Sequence, residues 1–361
     1  MSAAPTVGII GLGIGRAHIR GFQANGCQVV AVCQRDAAAA RAVAERYGIP
    51  GVHARWQDLI AKAKPEIVVI AAPPHLHREI ALAAFAAGAH VLCEKPLAMN
   101  RAQGADMVAA AAHHNKIAMT VFNWRFTAAM EEMGRRLKAG AIGRVLHANA
   151  RWLGSGWADV AAKPTWRMDA QQAGFGALGD MGVHMIDMLR THLGGFKRVL
   201  AATGVAYPER RAPGVDRPAD ADDYGLVTAE LDSGALVSMV ISRVAHGANE
   251  HTIEIFGERG ALAYRLARGT PRWFDGELRA AAPGATLAPV PFPTVEPKAP
   301  DGDPMEQLGG TLMAALIARL LDGIKAGKAP SPTLADGLAA QQVLDAIAQS
   351  AKAGSWAAVA T

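Results

Sequence analysis

The chain is poor in aromatic residues, sparing in cysteine, and without a dense run of charge of either sign. Phe, Trp and Tyr make up 6 % of its 361 residues and charged residues 19 %, while much of the 51 % hydrophobic content is alanine. This is the composition of a globular chain, long enough for two domains with sizeable cores. Only three cysteines occur, Cys27, Cys33 and Cys93, each in or beside an apolar run. A disulfide framework is excluded as the organising device, a thiolate metal site likewise, and no metal is expected. No apolar run approaches the ~20 residues that span a bilayer, and MSAAPTVGII lacks a basic region followed by an apolar core and a cleavage site. No membrane association is expected, and a cytoplasmic location is. The net charge is +5, but the 37 Lys and Arg are scattered among 32 acids. That distribution speaks against nucleic acid and for a mildly positive cleft that receives a phosphate-bearing cofactor.

What is present begins with residues 6–18, TVGIIGLGIGRAH. An apolar run suited to a strand buried on both faces breaks at Gly11-Leu12-Gly13-Ile14-Gly15 and re-emerges as a helical pattern over 16–25. Glycine in such a turn lets the backbone bend sharply and lets a pyrophosphate approach more closely than a Cβ permits, with the first amides of the helix pointing at the phosphate oxygens. The common G-x-G-x-x-G spacing would place its third glycine at Arg16; here Gly15 arrives one residue early.

A second strand is expected at 28–33, and its tip is Gln34-Arg35-Asp36, where a dinucleotide-binding unit normally carries an acid for the ribose 2′-hydroxyl. Gln34 is neutral and Arg35 suits a 2′-phosphate, so the cofactor is NAD or NADP with a slight lean to NADP. Further strands at 66–72, 90–94 and 117–123 alternate with helices; the first of them is followed by Pro73-Pro74-His75-Leu76-His77, and the second ends at Glu94 and is followed by Lys95-Pro96-Leu97. Beyond 123 the period changes. Residues 144–152, 227–231, 237–242 and 252–256 alternate apolar with polar, the signature of an antiparallel sheet with one covered face. Trp152 and Phe256 are expected on its other face as a subunit contact. Residues 283–304 hold seven prolines and read as an extended crossing, followed by two closing helices over 305–326 and 333–353. The fold is therefore α/β: an N-terminal Rossmann doubly wound parallel sheet (1–123) plus a C-terminal α+β domain (124–361) with a large, mainly antiparallel open sheet.

Between the alternating strands lies AGFGALGDMGVHMIDMLRTHLGG, residues 173–195. Its apolar positions 178, 181, 185 and 188 form one helical stripe, and Asp180, His184 and Asp187 fall on the adjacent face, where a spacing of four sets a carboxylate beside an imidazole. Alcohol oxidation by a nicotinamide removes a hydride from carbon and a proton from oxygen, which calls for a base of near-neutral pKa such as histidine. Glycines at 174, 176, 179 and 182 would be costly at a helix start unless something approaches the backbone closely.

Taken together, the glycine turn with Arg16-Ala17-His18, Pro73-Pro74-x-x-His77, Cys93-Glu94-Lys95-Pro96-Leu97, Asn123-Trp124-Arg125-Phe126, Trp166-Arg167 and Gly179-Asp180-x-Gly182-x-His184-x-x-Asp187 resemble the Gfo/Idh/MocA family, of glucose-fructose oxidoreductase and inositol dehydrogenase type, over essentially the whole chain. The resemblance implies an NAD(P)-dependent dehydrogenase that transfers a hydride between nicotinamide and a sugar, polyol or related cyclic alcohol, in a homodimer or homotetramer built through the open sheet. It implies catalytic roles for Lys95, Asp180 and His184, with Lys95 hydrogen-bonding the reacting oxygen, His184 as general acid/base and Asp180 as its partner. Gly11, Gly13, Ile14, Gly15, Gln34, Arg35, Ala72, Pro73, His77, Glu94 and Lys95 would serve the cofactor, and Arg125, Trp166 and Arg167 the substrate. Three departures stand out: the shortened glycine turn, Gln34 in place of an acid, and Phe175 within the glycine run. Two other readings remain: a dinucleotide-binding sensor without turnover, and a lyase or glycosidase that uses a tightly held NAD for transient oxidation.

Overall fold

The first apolar runs pair as a six-stranded parallel sheet. In the computed structural model of the chain, which describes residues 4–210, 219–269, 272–294, 296 and 303–360, the strands are β1 (Thr6–Ile10), β2 (Gln28–Cys33), β3 (Gly51–His53), β4 (Ile67–Ile70), β5 (His90–Cys93) and β6 (Ala118–Thr120). Their order is β3-β2-β1-β4-β5-β6, the doubly wound arrangement of a dinucleotide-binding domain. Every residue of β4 is buried, as a strand covered on both faces must be. The edge strand β3 has no counterpart in the sequence reading, because three half-buried residues carry neither an apolar run nor an alternation. Helices α1 (Gly15–Ala24), α2 (Ala37–Tyr47), α3 (Trp56–Asp58), α4 (His77–Ala86) and α5 (Arg101–His113) join the strands. The ladder runs one residue beyond three of them: Gly11 N–H donates to Cys33 O at 2.9 Å, Ala71 N–H to Ile10 O at 2.7 Å and Glu94 N–H to Ile70 O at 2.8 Å. The turns after β1, β4 and β5 thus leave one edge of the sheet at one level.

The chain divides into two compact units, Met1–Asn123 with Glu296–Leu338, and Trp124–Val295 with Ala339–Thr361. In the second unit α6 (Ala128–Lys138) leads to β7 (Val145–Gly154), then α7 (Ala170–Ala173), a turn of π-helix at Leu178–Gly182, and α8 (Val183–Leu193). There follow β8 (Phe196–Gly204), β9 (Tyr224–Leu231), β10 (Leu236–Ser242), β11 (Asn249–Gly257), β12 (Gly260–Ala267), β13 (Glu277–Ala281) and β14 (Ala288–Pro289). Together with β15 (Ala357–Ala358) they form a nine-stranded sheet ordered β14-β13-β12-β11-β7-β10-β9-β8-β15, antiparallel throughout except where β10 runs parallel to β7. Its covered face carries Ala148, Ala150, Trp152, Met239, Ile253 and Ile255. Trp152 therefore belongs to this inner face, opposite buried His251 in the ladder, and not to the outer one where it was expected. Phe256 does lie outside, stacked on His147 with centroids 4.7 Å apart.

After the proline-rich stretch, of which residues 295 and 297–302 lie outside the described residues, the chain enters α9 (Pro304–Leu308), a π-turn at Gly309–Met313 and α10 (Ala314–Ala326), then α11 (Leu334–Ala353). Residues 296–338, assigned to the C-terminal domain from the sequence, pack with the first unit. The contact on α1 is close: a Cβ at Gly21 would stand 2.7 Å from Ile317 Cδ1, and one at Gly309 2.6 Å from Ala17 O. The run Pro304–Ala326, 23 residues with a window of mean hydropathy 1.2, is long and apolar enough to cross a bilayer by length and composition, a feature the sequence reading did not register. Leu316, Ile317 and Leu320 are buried here in the protein's own core.

Candidate active site

The glycine turn after β1 is shaped by what lies next to it. Gly11 has φ +94°, and a Cβ there would come within 2.3 Å of Ala71 O, so the first glycine is required by both backbone conformation and packing. Gly13 faces open space, with no atom within 4 Å of where its Cβ would be. The helix begins at Gly15, with Ile14 in the N-cap position and no side chain capping the first amides. The early third glycine thus starts the helix one residue sooner and leaves its N–H groups uncapped beside a cradle that a side chain at 13 would fill. These residues fit a dinucleotide pyrophosphate. At the tip of β2, Asp36 is committed to capping α2 through the N–H groups of Ala38 and Ala39, both at 3.0 Å, leaving half-buried Gln34 and exposed Arg35 as the neighbouring polar groups.

The turns after β4 and β5 are bound to each other. His77, expected to line the cofactor groove beside Ala72 and Pro73, is fully buried. Its Nε2 lies 2.8 Å from Ala72 O, and its Nδ1 lies 3.0 Å from Pro96 O and 3.2 Å from Leu97 O. Burial lowers its pKa against the opposing pull of these carbonyls. The ring is a strap between two turns, and the backbone it holds is what faces outward. Glu94 is 5 % exposed, and its Oε1 meets His18 Nε2 at 2.9 Å. Burial pushes the Glu94 carboxyl up, but the hydrogen bond and charge of His18, with the charge of Lys95, bring it below the ordinary range. Lys95 itself is half-buried, and the Lys95–Pro96 peptide is cis, as is Ser331–Pro332.

In the second unit, the helix carrying the proposed proton carrier is pinned at its start. Asp222 accepts the N–H of Gly176 at 2.8 Å and of Leu178 at 2.7 Å, and a Cβ at Gly176 would collide with Asp222 O at 2.0 Å. This close approach explains one glycine of the run. The π-turn at Leu178–Gly182, a feature often found at functional sites, changes the angular register between Asp180 and His184 from that of a plain helix. Asp180 forms ion pairs with Arg167, Nε to Oδ1 at 3.4 Å, and with Arg243. His184 is 4 % exposed and stands edge-on to Trp124, centroids 6.2 Å apart, and beside Trp152 at 5.8 Å. Arg125, expected on the substrate side, is instead engaged with buried Asp187 through two hydrogen bonds, Nε to Oδ2 at 2.6 Å and a second to Oδ1. A bidentate pair of this kind anchors the Trp124 turn to α8. Trp166 is half-buried, with the Arg167 guanidinium 4.4 Å over its ring.

Residues the sequence reading did not single out complete this surround. Arg268 lies 5.3 Å from the centroid of Trp124 and 5.8 Å from that of Trp273. His251 Nε2 meets Tyr264 Oη at 3.0 Å, and burial followed by the charge of Arg268 pushes its pKa down to about 3. Arg243 and Arg268 directly follow β10 and β12, beyond the reach of any short spacing rule.

Residues 6–122 match the family description "Oxidoreductase family, NAD-binding Rossmann fold", and residues 130–263 match "GFO/IDH/MocA C-terminal domain". The levoglucosan dehydrogenase of Pseudarthrobacter phenanthrenivorans is 33 % identical, with 97 % of each chain covered. The chain belongs to the Gfo/Idh/MocA family. A solved structure of levoglucosan dehydrogenase in complex with NADH and levoglucosan superposes with a TM-score of 0.88 at 30 % identity, covering 99 % of this chain and all of that one. Over 47 % of this chain and 48 % of the relative, D-glucoside 3-dehydrogenase of Escherichia coli (strain K12) is 32 % identical. As a family member the chain is an NAD(P)-dependent dehydrogenase of the kind that acts on sugar CH–OH groups.

Proposed function

We propose that this chain oxidises a secondary hydroxyl of a sugar or polyol reversibly, with Lys95 donating a hydrogen bond to the reacting oxygen and His184 taking or returning its proton. A nicotinamide, when bound, accepts or gives the hydride. The observation that carries the reading is the position of Lys95: it lies two residues past the end of β5, on the same carboxyl edge from which the uncapped Gly11–Gly15 turn leaves β1, the edge where ligands of such sheets bind. Asp180 keeps its charge in place through Arg167 and Arg243, and Trp124 and Trp152 hold the His184 ring and keep water from it.

NAD is the proposed cofactor. The lean to NADP suggested by Gln34 and Arg35 finds no support in the levoglucosan dehydrogenase structures solved with a cofactor, which contain NADH. The substrate class is proposed from levoglucosan, D-glucoside and inositol dehydrogenases among the relatives. Self-association through the outer sheet face is proposed from its exposed Leu226, Leu236 and Val240. Three buried free thiols, Cys27, Cys33 and Cys93, accord with a reducing cytoplasm.

The test is production of NADH at 340 nm from a panel of sugars and inositols. His184→Ala should lower turnover by about 10²-fold or more, the range of general acid/base catalysis, and leave NADH binding within a few-fold. Wild-type turnover in that variant would place the proton route elsewhere. Binding of NADH without turnover of any panel member would favour the sensor.

A further inference from the structure

Residues 219–223, the five that lead into β9, reach three parts of the surround of Asp180 from one short segment. Met168 O, next to Arg167, accepts the N–H groups of Asp220 at 3.0 Å and Ala221 at 3.2 Å. Asp223 O accepts the N–H of Arg243 at 2.9 Å. Both arginines form ion pairs with Asp180. Between these two attachments, Asp222 takes the start of the helix that carries Asp180 and His184. The segment is itself held from its other side, where the Asp223 carboxylate accepts the N–H of Ala206 at 2.7 Å and pairs with buried Arg210.

Asp180 N–H donates to Gly176 O at 2.9 Å, as in a helix, whereas the amides of Gly176, Ala177 and Leu178 turn outward and all three donate to Asp222. Gly176 and Leu178 go to separate carboxylate oxygens at 2.8 Å and 2.7 Å, and Ala177 to the Asp222 carbonyl at 2.7 Å. An ordinary N-cap satisfies one such donor from the adjoining residue. Here one residue, 44 to 46 positions away from the two its side chain holds, satisfies three. Its carboxyl titrates at about 6, so above pH 7 both oxygens accept and the negative charge stands at a helix start, where it is favoured. An amide in its place would present an NH2 group to one of the two donors.

We infer that Asp222 is a positioning residue for the proton transfer: it sets the height and rotation of the helix on which Asp180 and His184 ride, and so where the imidazole meets the substrate hydroxyl. The inference rests on the dehydrogenase reading above and adds to it a residue that acts only through the helix. The π-turn at Leu178–Gly182 makes the start the decisive end, because its register fixes the angle at which every later residue emerges.

The experiment uses the full chain above pH 7, below the thermal midpoint of each variant, with NAD and the sugar turned over best in the 340 nm panel. Asp222→Asn should lower kcat by about tenfold or more, the scale of an ångström-sized misplacement, with the sugar KM and the NADH Kd within a few-fold. In a His184→Ala background it should cost no further turnover, because the two changes remove one function. A second readout is independent of turnover. The ring resonance of His184, displaced by the indoles of Trp124 and Trp152 and identified by its loss in His184→Ala, should move in Asp222→Asn while that of His90 in the first unit does not. Wild-type kcat in Asp222→Asn, an unmoved His184 resonance, or an equal fall in kcat with His184 already removed overturns the inference and leaves the dehydrogenase reading intact. If the wild type turns over no panel sugar, the dehydrogenase reading goes and the resonance decides: displaced, Asp222 places the ring; unmoved, the inference falls as well. Should Asp222→Asn not fold, amide exchange in the wild type decides. Exchange at 176–178 at least tenfold slower than at the uncapped first amides of α1 upholds the clamp, and equal exchange overturns it.

Discussion

His18 Nε2 and Glu94 Oε1 lie 2.9 Å apart in a place almost closed to water, with their side chains 0 % and 7 % exposed. The pair joins α1 to the end of β5, so one buried contact ties the helix that follows the glycine turn to the residue preceding Lys95. Removing one partner of a buried pair leaves the other uncompensated, at a cost of about 3–5 kcal/mol. His18→Ala should therefore lower the thermal midpoint markedly at pH 7 while Glu94→Gln, which removes the charge and keeps the shape, lowers it less. Equal midpoints for wild type and His18→Ala would show that the pair carries no weight.

Asp222 offers a pH test. Burial raises its carboxyl to about 6 from an ordinary 3.8, against the pull of the Leu178 and Gly176 amides it accepts and with the charge of Asp223 adding to the rise. Because the folded state holds this proton more tightly than the unfolded chain does, the stability contributed is fully present below about pH 3.8 and is lost as pH rises through about 6. The midpoint of wild type relative to Asp222→Asn should accordingly fall between pH 4 and pH 7. A difference that stays flat, or rises, across that window would contradict the assignment.

Cofactor choice turns on the tip of β2. Asp36 is occupied in capping α2, so an acid is missing where a ribose 2′-hydroxyl would bind and Gln34 stands nearest in sequence. Gln34→Asp should raise the NAD-to-NADP ratio of kcat/KM by about tenfold or more, through repulsion of a 2′-phosphate. A ratio that does not rise would remove Gln34 from the ribose site.

The outer sheet face can be tested by charge. Leu226 and Val240 are cross-strand neighbours, exposed by 50 % and 38 %. Leu226→Lys should change the folding stability of the chain by no more than the small range of surface changes, about ±0.5 kcal/mol, yet lower the mass seen by light scattering towards that of one chain. An unchanged mass would exclude this face from self-association.

The two-sheet architecture was legible because each sheet imposes its own period: uninterrupted apolar runs such as 67–70 where both faces are covered, and alternation such as Ala148, Ala150 and Trp152 where one is. The edge strand β3 was too short for either pattern. Trp152 was misplaced because an aromatic residue in an alternating strand was assigned to a contact face, although it continued the inward series. In the site, placement on a single element was legible, as with Lys95 just past the end of β5. Partnerships made across long separations were not: His18 with Glu94 is 76 residues apart and Arg125 with Asp187 is 62. Arg268 left no local signal, since a cation just after a strand looks like any solvated lysine or arginine until the indoles beside it are seen.

The return of residues 296–338 to the first unit bears on how this protein can be cut. A fragment ending at Asn123 would strip α1 of the Gly309–Met313 turn and α10 at the point where Gly21 admits Ile317, and would leave Arg46 and Tyr47 without Glu306. The nucleotide-binding half is not a severable N-terminal module. Its last layer, residues 296–338, is translated only after residues 124–295 of the other unit, so truncation, domain swapping or split-reporter designs must carry both stretches to keep it whole.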